Sequence, residues 1–221
     1  MNAAPLAEAR DLAVFAREGS LRVEGLAFRV ERGEALVLSG PVEAGSAVLR
    51  ALVGVEEPAG GSAFLLGERL GALPRGGHAA LLSRIGWYPR TGALLANLTL
   101  RENLLLPLQF HRRATSGEAE RLASAALARF GLDEAPDVRP EDASLPLRRL
   151  VALARAMLLD PELLVLDDPL DDLDEELARA VASALADWAR ERPRGLLLCS
   201  HRAGLAPKLG APALPLPVIR A

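Results

Sequence analysis

The sequence predicts an α/β fold built on buried strands, and three stretches carry that prediction. Leu163-Leu164-Val165-Leu166 is an unbroken apolar run that ends in Asp167-Asp168-Pro169, the pattern of a fully buried strand whose carboxyl end bears charge. Ala35-Leu36-Val37-Leu38-Ser39 enters a turn framed by Gly40 and Gly45 and then a helix. Leu196-Leu197-Leu198-Cys199 is a third apolar run and ends in Ser200-His201. In an open α/β sheet, ligands sit at the carboxyl ends of such strands.

Composition sets the frame. The chain has 221 residues, half of them hydrophobic and 25% charged, with a formal net charge of -3. That fits one large domain, or a core with an insertion, able to bury a sizeable interior. Without a basic excess there is no case for a nucleic-acid partner. The single cysteine, Cys199, excludes an intramolecular disulfide, and its place in a buried run suits a reducing compartment. No apolar run approaches 18 residues, and the N-terminal stretch carries acid, unlike a signal peptide. A cytoplasmic protein is expected, meeting a membrane only through partners.

Taken in order, Leu12–Phe15 and Leu26–Val30 read as short strands, and Glu31-Arg32-Gly33-Glu34 as the turn before the 35–39 strand. Ala63–Leu66 is a further apolar face, and a short helix is expected to end at Ser83 before the strand Ile85-Gly86-Trp87-Tyr88. Thr99 and Glu102 have capping-box spacing, which starts a helix at about 100. Residues 113–131 form an Ala-rich helical stretch with early acids and Gly131 as its stop. Pro140 and Pro146 bracket a loop, and Val151–Leu159 is an uninterrupted helix former. Residues 173–190 place Leu177, Val181, Leu185 and Trp188 on one face of a helix. Pro212, Pro215 and Pro217 leave room only for a short edge strand.

The turn at 40–45 has the glycine framing of the phosphate loop G-x-x-x-x-G-K-[ST]. In that loop amides cradle phosphate, lysine reaches the outer phosphates and the hydroxyl holds magnesium. Here Ser46 stands at the lysine position and Ala47 at the hydroxyl position, Glu43 lies inside the turn and Val48 follows. A carboxylate there repels polyphosphate, and loss of the lysine forfeits a charge-assisted contact of about 1.5–3 kcal/mol. A helix N-terminus expected at 45–47 still attracts an anion.

The order of these pieces over nearly the whole chain resembles the nucleotide-binding domain of the ABC transporter ATPase family, as a degenerate member. Leu98-Thr99, Glu102-Asn103 and Pro107-Leu108 are most similar to lipoprotein and envelope-lipid transport ATPases. The resemblance implies a P-loop NTPase-like α/β core with an antiparallel edge sheet over 1–95 and 148–221, and a helical subdomain inserted at 96–147. It makes Gly40, Gly45, Ser46, Ala47, Arg90 and Ser144 the nucleotide-binding positions, and Asp167 the ligand of Mg2+. Asp168 takes the place of the water-polarising glutamate, His201 that of the histidine facing the γ-phosphate, and Asp174 belongs to the dimer-facing loop. Several positions depart from the family. Arg90 replaces a glutamine, only Ser144 remains of the L-S-G-G-Q signature across Ala143–Leu147, and Leu170 and Asp171 replace a threonine and a small residue. Phe15 is the nearest candidate for adenine stacking, core packing being the other assignment. Arg148, Arg149 and Arg155 either assist phosphate or form ion pairs.

ABC domains dimerise head to tail, each site combining one chain's phosphate loop with the other's signature. With both degraded here, the resemblance implies a catalytically impaired pseudo-ATPase. It would work as a homo- or heterodimer docked on an inner-membrane permease from the cytoplasmic side through residues 94–108. ATP and Mg2+ are the family's cofactors. Three alternatives stay open: a divergent active ATPase or nucleotide sensor, in which Arg90 or Arg148 replaces the lysine; a scaffold outside transport; or a module for another anion.

Overall fold

The computed structural model describes residues 4–16, 21–69, 72–73, 75–111, 115–202 and 204–220. A parallel sheet has the order β5 (Ile85–Tyr88), β6 (Leu163–Asp167), β7 (Gly195–Ser200), β3 (Ala35–Ser39), β8 (Ala213–Pro215). An antiparallel sheet has the order β4 (Gly60–Leu65), β1 (Ala7–Phe15), β2 (Leu21–Val30), β9 (Val218–Arg220).

Alternation explains why the central strands are apolar on both sides. Leu164 and Leu166 of β6 face one core, with Leu196 and Leu198 of β7. Leu163 and Val165 face the other, with Leu197 and Cys199. The first core is closed by α3 (Leu100–His111), α4 (Ser116–Ala128), α5 (Leu145–Met157) and α6 (Glu175–Glu191). The second is closed by α1 (Val42–Leu52) and by the antiparallel sheet, with Ile85 and Leu81 from the end of α2 (Arg75–Leu82). Asp167, two residues beyond Val165, therefore points toward α1.

The first two strands run longer than the Leu12–Phe15 and Leu26–Val30 expected, because the charges that broke the apolar pattern are paired across the sheet. Glu8 is held by Arg10 at 2.7 Å and by Arg29 at 2.6 Å, and the Arg10 guanidinium lies 4.6 Å from the Phe64 ring centre. A bulge at Asp11, φ +49°, carries β1 past that charged segment. Gly61 faces it so closely that a Cβ would lie 2.1 Å from the Asp11 carbonyl oxygen.

The capping box forms as expected: Thr99 N–H donates to Glu102 at 2.8 Å, and Glu102 N–H to the Thr99 hydroxyl at 3.2 Å. Asn103, fully buried, ties the preceding turn down by accepting from Leu95 N–H at 2.7 Å and donating to the Leu95 and Thr99 carbonyls. Gly131, φ +71°, stops the chain beyond α4, with Leu132 N–H returning to the Leu127 carbonyl at 3.2 Å. The loop expected between Pro140 and Pro146 is shorter. Pro140 opens a single 3-10 turn, and Pro146 sits in the first turn of α5, where a missing N–H costs nothing. Asp174 caps α6 by accepting from Leu177 N–H at 2.8 Å. After the short α7 (Leu205–Leu209), the C-terminal prolines separate β8 and β9, which edge different sheets.

Candidate functional site

The carboxyl ends of β6 and β7 and the first turn of α1 converge. Ser46 donates its hydroxyl to Asp167 Oδ1 at 2.8 Å, and the Cys199 thiol donates to the same oxygen at 3.0 Å. Asp167 is 2% exposed and no arginine or lysine pairs with it among the described residues. Burial pushes its carboxyl above the ordinary aspartate range, although the Cys199 and Ser46 hydrogen bonds pull it back. The Cys199 thiol is pushed well up, first by burial and then by the neighbouring Asp167 charge. Asp168, fully buried at φ +48°, accepts from the Ser200 hydroxyl at 3.1 Å and is hydrogen-bonded to His201 Nδ1 at 2.7 Å. The two acids thus belong to separate networks.

Helix α1 begins at Val42, not at the expected 45–47. Ala44 N–H and Gly45 N–H both donate to the Pro41 carbonyl, each at 3.1 Å. Amides inside a phosphate loop point at the ligand; these two are spent on the helix. Gly45 is required by packing, since a Cβ there would lie 2.7 Å from Cys199 Cβ. Ala47 is buried in the second core, and Gly40 closes β3 against Leu216. Glu43 lies in the first turn of α1 and borders, with Ser46 and Asp167, a cleft of about 440 Å³. Trp87, Arg90, Thr91 and Ala93 form the opposite side.

Arg90 reaches that cleft, but its guanidinium donates to Asp171 at 3.2 and 3.3 Å. Arg149 is neither a surface residue nor a free phosphate ligand. It is 7% exposed and donates to Tyr88 Oη at 3.1 Å, the Arg90 carbonyl at 3.2 Å and Asp172 at 2.8 Å. Arg155 binds the Gly92 and Ala93 carbonyls at 2.5 and 3.0 Å. Of the two uses expected for these arginines, Arg149 takes the ion pair, with Asp172, and Arg155 neither; Ser200 and the Cys199 thiol are the site groups that sequence reasoning did not assign. Phe15 is half exposed, with the Arg22 guanidinium 5.0 Å from its ring centre. Ser144 lies apart from the acids, as the N-cap of α5. Asp168, Asp171 and His201 bring two carboxylates and an imidazole within 4.8 Å, a donor set for a divalent metal, but the Asp168–His201 bond and Arg90 already engage it.

The family model described as "ABC transporter" matches residues 23–171. The chain belongs to the ABC transporter family. The lipoprotein-releasing system ATP-binding protein LolD of Hydrogenovibrio crunogenus is 32% identical over 198 residues, covering 87% of this chain and 86% of that one. The methionine import ATP-binding protein MetN of Mesorhizobium japonicum is 34% identical over 182 residues, covering 81% of this chain and 49% of that one. An ATP-binding cassette solved as a dimer after hydrolysis, with ADP and phosphate, superposes with a TM-score of 0.85 at 20% identity, covering 96% of this chain and 94% of that one. This ABC fold thus comprises the mixed α/β core, the antiparallel sheet and the helices described above. No helix among the described residues is long and apolar enough to cross a membrane.

Proposed function

We propose that this ABC protein is a pseudo-ATPase subunit of a transporter of the lipoprotein-release type. It dimerises with an ATPase domain, its own copy or a homologue, and docks on an inner-membrane permease from the cytoplasmic side without efficient hydrolysis. One observation carries the reading: the start of α1 consumes the amides of Ala44 and Gly45, while Ser46 spends its hydroxyl on Asp167. The residues present do not fit MgATP. The loop offers a carboxylate, Glu43, where polyphosphate would lie, and no cation. Asp167 Oδ1 already accepts two hydrogen bonds, its burial opposes ionisation, and Ala47 supplies no oxygen for a metal. Arg90, one of the two arginines expected to replace the lysine, is held by Asp171, and Arg149, next to the other, Arg148, is held by Asp172.

The lipoprotein-release assignment rests on the similarity to LolD and on Leu98–Leu108. The proposed layout follows the family: an α/β core at 1–95 and 148–221, and a helical subdomain at 96–147 that meets the permease. Asp174 serves the dimer-facing loop and Ser144 the remnant of the signature. The divergent-ATPase reading draws on one feature, the Asp168–His201 pair at 2.7 Å, which keeps a carboxylate and an imidazole together where hydrolysis would occur. Phosphate release from ATP by the purified chain separates the two. Turnover no faster than that of Asp168→Asn supports the pseudo-ATPase; turnover that Asp168→Asn abolishes supports the enzyme.

A further inference from the structure

We infer that the loop from Arg90 to Thr99 is held in one shape by side chains of α3 and α5, so that the start of the permease-docking segment, residues 94–99, is preorganised without nucleotide. This inference rests on the docking reading given above. The loop joins β5 to α3 and has no strand or helix of its own. Its carbonyls are nonetheless engaged from end to end. Arg149 donates to the Arg90 carbonyl at 3.2 Å, and Arg155 to those of Gly92 at 2.5 Å and Ala93 at 3.0 Å. Asn103 holds the other half, its side-chain nitrogen lying 3.0–3.2 Å from the carbonyl oxygens of Leu95, Leu98 and Thr99.

Gly92 and Ala93 are consecutive residues at positive φ, +73° and +45°, a shape that an unsupported chain rarely keeps at alanine. Arg155 sits on the carbonyls of those two residues, and no acid pairs with it among the described residues. Gly92 also packs so closely on α5 that a Cβ would lie 3.1 Å from that of Ala152. Asn103 is fully buried and Arg149 is 7% exposed, so water does not compete for their hydrogen bonds. Above this fixed backbone Ala93, Leu95 and Ala96 are exposed. A partner that binds them does not first have to order the loop, which is the step where flexible loops lose affinity. The three holding side chains come from α3 and α5 and none from α1, so the shape does not depend on the turn at 40–45.

The test is amide hydrogen exchange, followed by NMR on the nucleotide-free full chain. The amides of Gly92, Leu95 and Leu98 donate to the Pro89 carbonyl, Asn103 Oδ1 and the Leu95 carbonyl. They should exchange at least about 100-fold more slowly than in a free peptide. The β6 amides of Leu164 to Leu166 report global opening. Arg155→Lys keeps the charge but cannot fork across two carbonyls. It should speed exchange at Gly92 by about tenfold and leave the β6 amides unchanged. Free-peptide rates in the parent chain would overturn the inference, and that measurement decides whether or not the variant folds. A variant in which Gly92 is unchanged, or speeds up only as much as β6 does, would overturn it too. Adding MgATP separates this inference from the pseudo-ATPase reading. Slow amides throughout, with a Ser46 amide signal that MgATP does not move, support both. Slow amides throughout with a Ser46 signal that MgATP shifts sink that reading alone, and fast amides throughout with no shift sink the inference alone. Amides that become slow only with MgATP sink both.

Discussion

Strand β6 carries an acid at each end, and the two are treated in opposite ways. Glu162, just before the strand, is gripped by Arg84 at 2.5 Å and also by Arg32, which hold its carboxyl below the usual glutamate range. Asp167, at the other end, is more deeply buried and receives a hydroxyl, a thiol and the Arg90 amide but no guanidinium hydrogen bond, and burial raises its carboxyl. The first arrangement is a stabilising ion-pair cluster at the surface. The second is a buried carboxyl that Ser46 and Cys199 reach with uncharged donors. What differs is the chemistry facing each acid: guanidinium groups at one end of the strand, uncharged hydrogen-bond donors at the other.

The largest effect should come from a cation buried at the carboxyl edge of the sheet. Arg149→Met strands Tyr88 Oη, the Arg90 carbonyl and Asp172, and should destabilise the protein by about 2–3 kcal/mol in urea unfolding. A cost near zero would mean that the loop after β6 does not depend on it. Next, Asp167→Asn removes a buried charge while keeping an acceptor, and should raise stability at pH 7 by on the order of 1 kcal/mol.

The pH dependence follows from the sign of the shifts. With its folded value raised, Asp167 binds more protons folded than unfolded, so its contribution falls as pH rises above the unfolded value of 3.8. Glu162 is lowered, so its contribution is present above 4.5 and is lost as pH falls through its folded value. In thermal melts across pH 3–8, Asp167→Asn should erase the first trend and Glu162→Gln the second.

Ser46→Lys sharpens the comparison by giving Asp167 what Glu162 has. The Asp167 carboxyl, followed by carbon NMR, should then titrate lower than in the parent chain. The smallest effect belongs to Glu162→Gln at neutral pH, about 0.5–1 kcal/mol, because its arginines are partly exposed.

Much of the fold was legible because burial on both faces leaves apolar runs. Strands β3, β6 and β7 and the stripe of α6 were read directly, and so was the Thr99–Glu102 capping box. The ends of β1 and β2 were hidden, because Glu8, Arg10 and Arg29 form pairs that only the strand register brings together. The early start of α1 was also missed, although Pro41 followed by Val42-Glu43-Ala44 is a helix-opening pattern; the family's loop suggested a later start. At the site, Asp167, Ser46, Asp168 and His201 were named from sequence, but their division into two networks was not. Ser200 and Cys199 enter because β7 pairs with β6 in parallel register, Cys199 opposite Asp167. Long-range pairing of that kind leaves no local signal.

Calorimetry on nucleotide-free protein is the most direct test of the proposed loss of nucleotide binding. Titration with MgATP, and separately with ADP, should give no saturable heat up to millimolar concentration, in the parent chain and in Asp167→Asn alike. Saturation at micromolar MgATP in the parent chain would contradict the account.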